Sequence, residues 1–291
     1  MQIVYHIGAN CTDGERILRS LMRNSDQLSP RGIRIPGPGR YRQLLRETIA
    51  TLANGAPNAQ TRDILLDAII DGQDVSRLVL SNSTFLCLPN VIFERGAFYG
   101  RARTKVAALR SLFPDDTIEL HLAIRNPATF VPAVWSEVKG PDVNDFMGGL
   151  APLEIRWSDV VARIRAAAPD VSLTVWCNED TVLLWGELLH RIAGIGPDEP
   201  IKGEYDLLST VMMPDGMKRF LSYMATHPGQ NNAQIRRVIG AFLDKYAIPE
   251  AIEEEIDLPG WDARMVDQLT RAYEEDVARI AAMPGVTFIT P

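Results

Sequence analysis

Two hydrophobic patterns alternate along this chain. Short, nearly continuous apolar runs occur at "QIVYHI" (2–7), "SRLVLSN" (76–82), "TIELHLAIRNP" (117–127), "VSLTVWCNED" (171–180) and "GVTFITP" (285–291). Runs of this length predict strands, the first of them buried and the last a final addition to the set. Between them, apolar residues recur every three or four positions, which predicts amphipathic helices. Ile17, Leu18, Leu21 and Met22 share one face of a helix over 13–24, and Leu44, Leu45 and Ile49 mark another from about Arg40. Further helices are predicted at 61–70, 104–113, from Pro127, across "LEIRWSDVVARIRAAAP" (153–169) and at 181–196. The remainder reads as mostly helical, at 215–226, 231–246 and 262–282. In the last of these, Leu269, Tyr273, Val277 and Ile280 fall at spacings of four, four and three.

Strand and helix alternation predicts an α/β fold, a mainly parallel sheet flanked by helices. The 291 residues are read as one domain, in which about 200–282 is a mostly helical extension. Ligands of such sheets bind beyond the carboxyl ends of the strands. That rule gathers the loop after the first strand, residues 81–84 and residues 125–127 at one edge.

Composition narrows the function classes. With 46% apolar and 23% charged residues the chain reads as globular, and its net charge of −7 speaks against a nucleic-acid or anionic-membrane binder. The three cysteines, Cys11, Cys87 and Cys177, are too scattered for a disulfide framework or a zinc site and suit a reducing cytoplasm. No apolar run approaches the roughly 18 residues of a membrane span, and the start of the chain lacks the basic and apolar segments of a signal peptide. No His-x-x-x-His or Cys-x-x-Cys pair suggests a metal.

Candidate chemistry concentrates in "YHIGANCTDGER" (5–16). His6 closes the first strand and is expected to face the site, which makes it the acid/base candidate by position, although a satisfied buried histidine is the commoner outcome. Gly8, Asn10, Cys11, Thr12 and Gly14 form a glycine-containing turn before a helix, the arrangement that offers backbone amides to a phosphate. The loop nevertheless lacks the Gly-Lys-Ser/Thr end of a Walker loop. Thr12 and Glu15 have the Thr-x-x-Glu spacing of a capping box, which predicts that Glu15 folds back onto the Thr12 amide. Asp13 adds a second acid. A phosphate ~4 Å from one such carboxylate meets about 4 kcal/mol of repulsion at an effective dielectric near 20. Cys11, at a helix start, reads either as an activated thiol or as a small, partly buried one. Arg40, Arg42 and Arg46 follow "PGPG" and form either a pocket for an anionic substrate or a solvated helix start. Arg125 lies at a strand's carboxyl end, placed for an anion or for an ion pair with Asp13 or Glu15. The acidic run at 253–257 reads as a solvated turn.

These segments resemble the sulfotransferase family of the P-loop superfamily. The resemblance rests on His6-Ile7-Gly8 with the following loop, on Arg125-Asn126-Pro127, and on Gly32, Ile33, Pro36 and Gly37, in the family's order. It covers roughly the first half of the chain. It implies PAPS as donor, 3′,5′-ADP as product, and transfer to a small-molecule or glycan acceptor. By resemblance, Gly8, Asn10, Cys11, Thr12, Gly14 and Arg125 take the donor-binding positions. Three departures fall on those functions. Cys11 replaces the loop lysine, Gly14 and Glu15 replace the two threonines, and Ala133 stands where a serine holds the 3′-phosphate. The expectation is a degenerate donor loop on a divergent or repurposed scaffold that binds a small anion or a protein partner. The alternative is an active PAPS-dependent sulfotransferase.

Overall fold

The computed structural model describes residues 1–52, 57, 59–70, 74–138, 142–252, 256 and 258–291. Most of the acidic run at 253–257 lies outside them. Strands β1 (Gln2–Gly8), β2 (Ile33–Arg34), β3 (Arg77–Ser81), β4 (Thr117–Ile124), β5 (Ser172–Cys177) and β6 (Val286–Ile289) form one sheet in the order β2-β3-β1-β4-β5-β6. Every pairing is parallel. The expected α/β fold is therefore present, and the carboxyl ends of all its strands lie at one edge. The longer helices are α1 (Arg16–Met22), α2 (Arg42–Leu52), α3 (Ala59–Ile70), α4 (Ala102–Ser111), α5 (Pro127–Val138), α6 (Trp157–Ala167), α7 (Thr181–Ala193), α8 (Pro214–Thr226), α9 (Asn232–Tyr246) and α10 (Ala263–Ala281).

The inner strands β1, β3, β4 and β5 read as nearly continuous apolar runs because both faces of the sheet are covered there, whereas edge strand β6 buries only Ile289. On one face Ile3, Tyr5, Ile7, Leu120 and Val175 join a core completed by α2 to α6 and α10, with Phe130 and Trp157 at its centre. On the other face Val4, Val79, Ala123 and Trp176 pack under α1 and α7. A smaller cluster, Leu208, Val211, Met212, Phe220 and Ile239, joins α8 and α9 to the outer side of α7. This cluster forms the helical portion expected after residue 200. α10 and β6 return to the main sheet, where Tyr273 and Ile280 enter the first core and β6 pairs with β5. No helix among the described residues is long and apolar enough to cross a membrane.

Two boundaries differ from the sequence reading. β2 lies within the expected proline- and glycine-rich turn, where Ile33 and Arg34 pair with Arg77 and Leu78. A two-residue edge strand is too short to show a periodicity. α1 starts at Arg16 instead of Asp13, because Gly14 and Glu15 both take left-handed backbone angles (φ 56° and 63°).

The second face carries a buried polar device. The Arg77 guanidinium grips Glu119 with two parallel bonds of 2.9 and 2.6 Å, and also donates to Gln2 Oε1 (2.8 Å), Ile192 O (3.1 Å) and Arg191 O (3.2 Å). One side chain thereby ties β3, β1 and β4 to the carbonyl end of α7. Gly194, left-handed after α7 (φ 73°), leaves room for it, since a Cβ there would lie 2.7 Å from Arg77 Nε. Burial pushes the Glu119 carboxyl up, but contact with His121 and the Arg77 fork outweigh that and hold it down at about 2. A depressed carboxyl stabilises the fold above its ordinary value near 4.5, and that contribution is lost as pH falls toward 2. Arg77→Met leaves the half-buried Glu119 carboxylate with only His121 beside it and is expected to lower stability by about 3 kcal/mol at pH 7. The deficit should shrink in urea denaturation repeated near pH 3; a deficit independent of pH would show that the ion pair is not its source.

Candidate functional site

The carboxyl edge of the sheet begins at Gly8. Its φ of 79° turns the chain off β1, and a Cβ there would meet Ser83 Cα at 2.8 Å. The loop after β3 therefore closes directly over the end of β1. Beyond Gly8 the loop is pinned from several sides. The Ala9 amide donates to Ala123 O (3.1 Å) and the Thr12 hydroxyl to Ala9 O (2.8 Å). Buried Asn10 exchanges two bonds with the Tyr99 hydroxyl, donating its amide (3.2 Å) and accepting at Oδ1 (2.7 Å).

The helix start is capped by an acid, though by a different one from that expected. Asp13 Oδ2 accepts from the Ile17 amide (2.9 Å) and Asp13 O from the Arg16 amide (3.0 Å). The Thr12–Glu15 capping box is absent, because the left-handed backbone at Glu15 turns its carboxylate outward to pair with Arg42. The Arg19 side chain donates to the Gly14 and Glu15 carbonyls. Amides 11–15 bond to no protein acceptor among the described residues.

Arg125 reaches into this loop. Its guanidinium donates to Cys11 O (2.5 Å) and to Thr129 Oγ1 (3.0 Å), fastening the loop to α5. Its expected acidic partners are otherwise engaged, Asp13 with the α1 amides and Glu15 with Arg42. The rest of its segment is equally held. Trp157 Nε1 donates to Arg125 O (2.8 Å), the Asn126 amide donates to Glu179 Oε1 (2.7 Å), and Asn126 Nδ2 donates to Thr270 Oγ1 (2.9 Å). Burial pushes the Cys11 thiol up to about 12, with Glu137 adding to the rise and Arg125 opposing it. Cys11 is thus a protonated, weakly nucleophilic thiol.

His6 does not face the edge. It is 1% exposed, with Nδ1 2.8 Å from Ser81 Oγ and its ring stacked 6.0 Å from Trp176, and Nε2 has no hydrogen-bond partner. Its neighbour across the ladder is His121, also sealed from solvent. Burial lowers both histidines, with Asp13 opposing this at His6 and Glu119 at His121. The acid/base role expected for His6 therefore fails on access. Alternation along β1 puts residue 6 beneath α1 and α7, on the same face as Val4.

Two clefts flank the loop. One, of about 710 Å³, is walled by α2, α4 and the loop after β3 and includes Glu15. It holds Arg42 and Arg46 one turn apart on α2, facing Arg101 and Lys105 one turn apart at the start of α4. The other, of about 650 Å³, runs from Thr12 and Asp13 to Glu179 and the 251–252 segment, with Arg16 as its cation. Beside Glu179, burial and that neighbouring charge push the Asp180 carboxyl up to about 6. The loop thus separates a basic cleft from an acidic one. Arg40 and Arg42, paired in the sequence reading, part company: Arg42 lines the basic cleft, and Arg40 faces a separate hollow beside Ser25, Arg34 and Ile70. Arg101 and Lys105 were missed, because only the packing of α4 beside α2 brings them to the cleft. Among the described residues no His/Cys/Asp/Glu group has an arrangement that could hold a metal ion.

Comparison of the chain with protein-family models, curated proteins and solved structures gave no match. The site is therefore read from its own geometry.

Cys87 and Cys177, both buried, are likewise pushed up to about 12 by burial. At pH 8 the thiolate fraction of all three cysteines should lie about a thousandfold below that of an exposed thiol. The folded chain should then react only slowly with a disulfide reagent at that pH and release three equivalents on unfolding. Rapid labelling of Cys11 in the native protein would contradict the protonated, enclosed thiol.

Proposed function

We propose that this chain is a sulfotransferase-like scaffold that no longer grips a nucleotide donor at its first loop and that works by binding a small anionic ligand at the carboxyl edge of the sheet. One observation carries the reading: the Asp13 carboxylate occupies the α1 amide that a donor phosphate would need. Three further features support it. Cys11 is the residue at the family's lysine position, Ser83 backbone fills the space above Gly8, and Arg125 is drawn onto Cys11 O. The acidic character of the second cleft also opposes a phosphorylated donor, through Asp13 and Glu179. Three free thiols in the chain suit a cytoplasmic setting.

The amides of residues 11–15, left without protein acceptors, favour a second reading, an active PAPS-dependent sulfotransferase whose donor supplies those acceptors. Titration calorimetry with 3′,5′-ADP at low salt separates the two. Binding weaker than about millimolar is expected. Micromolar binding that disappears in Arg125→Ala would overturn the proposal and establish a working donor site.

A further inference from the structure

The basic cleft has a composition that selects a ligand class, and the following inference rests on the reading that this edge of the sheet binds an anion. In a chain of net charge −7, four cations line one cleft among the described residues, and Glu15 is the only acid among them on its wall. The four are not equivalent. Arg42 is committed: Nη1 pairs with Glu15, and Nε and Nη2 donate to Ser81 O at 3.2 and 2.9 Å. Arg101 is held by Glu94 through bonds of 2.7 and 2.8 Å. Arg46 and Lys105 have no ion pair or side-chain hydrogen bond among the described residues. Each lies one helical turn beyond a committed arginine, so α2 and α4 each bring one uncommitted cation to the cleft.

Two cations lining one cleft whose described acid, Glu15, is paired with Arg42 repel each other, and an anion of charge −2 relieves that repulsion more fully than a singly charged one. Arg and Lys both donate to phosphate oxygens, Arg as a fork and Lys as a point charge. The remainder of the wall is different in character. Ile49, Phe85, Val91 and a Leu88 that is 56% exposed supply an apolar surface beside the charges. Inorganic phosphate would leave that surface wet, and a neutral hydrocarbon would leave the cations unpaired. We propose that the basic cleft binds an organic phosphomonoester, its dianionic head between Arg46 and Lys105 and its apolar body against Leu88, Phe85 and Val91.

The test is calorimetry on the full chain with 1-naphthyl phosphate, 1-naphthol and inorganic phosphate, in low salt and again at 0.5 M salt. 1-Naphthyl phosphate is expected to bind best and to weaken with salt. Arg46→Gln with Lys105→Gln should weaken it by about tenfold or more, since each removes a charge-assisted bond. Both side chains lack ion pairs and side-chain hydrogen bonds among the described residues, so the double variant should fold normally. Leu88→Ser should weaken 1-naphthyl phosphate about threefold or more while leaving inorganic phosphate unchanged. Inorganic phosphate binding as tightly as the naphthyl ester would overturn the phosphomonoester assignment and leave the anion-binding reading standing. Binding of 1-naphthyl phosphate that the double variant does not weaken would overturn the assignment of this cleft. Failure of both phosphates to bind would overturn the assignment and the anion-binding reading together.

Discussion

The buried fork between Arg77 and Glu119 sets the frame for the rest of the molecule. β3 is only five residues long, with Arg77 at its amino end and Ser81 at its carboxyl end. At the amino end Arg77 fastens β3, β1, β4 and α7 together. At the carboxyl end the Ser81 carbonyl accepts from Tyr41 (2.6 Å) and from Arg42. Fixing one end of so short a strand fixes the other, because four residue steps span only about 13 Å of stiff, hydrogen-bonded backbone. The basic cleft therefore inherits its wall from an ion pair at the opposite edge of the sheet. An apolar cluster at Arg77 could match the stability of the pair, but it would lack its directional bonds to Gln2, Ile192 and Arg191.

At the carboxyl edge the loop after β1 acts as an electrostatic partition. Glu15 faces the basic side and is neutralised by Arg42, whereas Asp13 faces the acidic side and is stabilised by the α1 amides. The left-handed backbone at Gly14 and Glu15 is what sends these two acids to opposite sides. An α-helical Asp13–Glu15 segment would have put both carboxylates on one helical turn. It would also have left Arg42 with a bare charge beside Arg46. The loop's acids thus serve the two clefts differently, and a phosphate in the loop would have to compete with each of them.

The sheet was legible in the sequence because strands covered on both faces become nearly unbroken apolar runs, and β1, β3, β4 and β5 read that way; β6, at the edge with only Ile289 buried, showed itself as a short β-rich run. β2 was not, because two residues between Gly32 and Pro36 have no period to detect. The Thr12–Glu15 spacing suggested a capping box, but such spacing implies a cap only if the intervening residues are helical. The positive φ at Gly14 and Glu15 passes the role to Asp13, which bonds to the Ile17 amide. Position in a strand placed His6 near the carboxyl end of β1, which runs on to Gly8, and said nothing of which face it takes. The alternation with Tyr5 and Ile7 held that information, but α1 and α7 had to be placed before either face could be called the buried second one. Arg101 and Lys105 belong to the site only through tertiary packing of α4 against α2, which no local pattern contains.

On the proposed reading, the same packing explains why the loop would not be one substitution away from a donor site. Cys11 stands where the resemblance puts a lysine, but the groups around it are Glu137 and Arg125. A lysine there would meet the Glu137 carboxylate and the Arg125 guanidinium before any ligand. The first attracts the ammonium away from the loop and the second repels it. Arg125 would in turn have to leave Cys11 O, and the tie between the loop and α5 would go with it. The shape of the loop is thus set by the neighbours that hold its carbonyls, Arg125 at Cys11 O and Arg19 at Gly14 O and Glu15 O, as much as by the residue missing from it. On the proposed reading, the two uncommitted cations of the basic cleft, one turn along α2 and α4, offer an anion an anchor without the competition of the Asp13 carboxylate that it would meet in the loop.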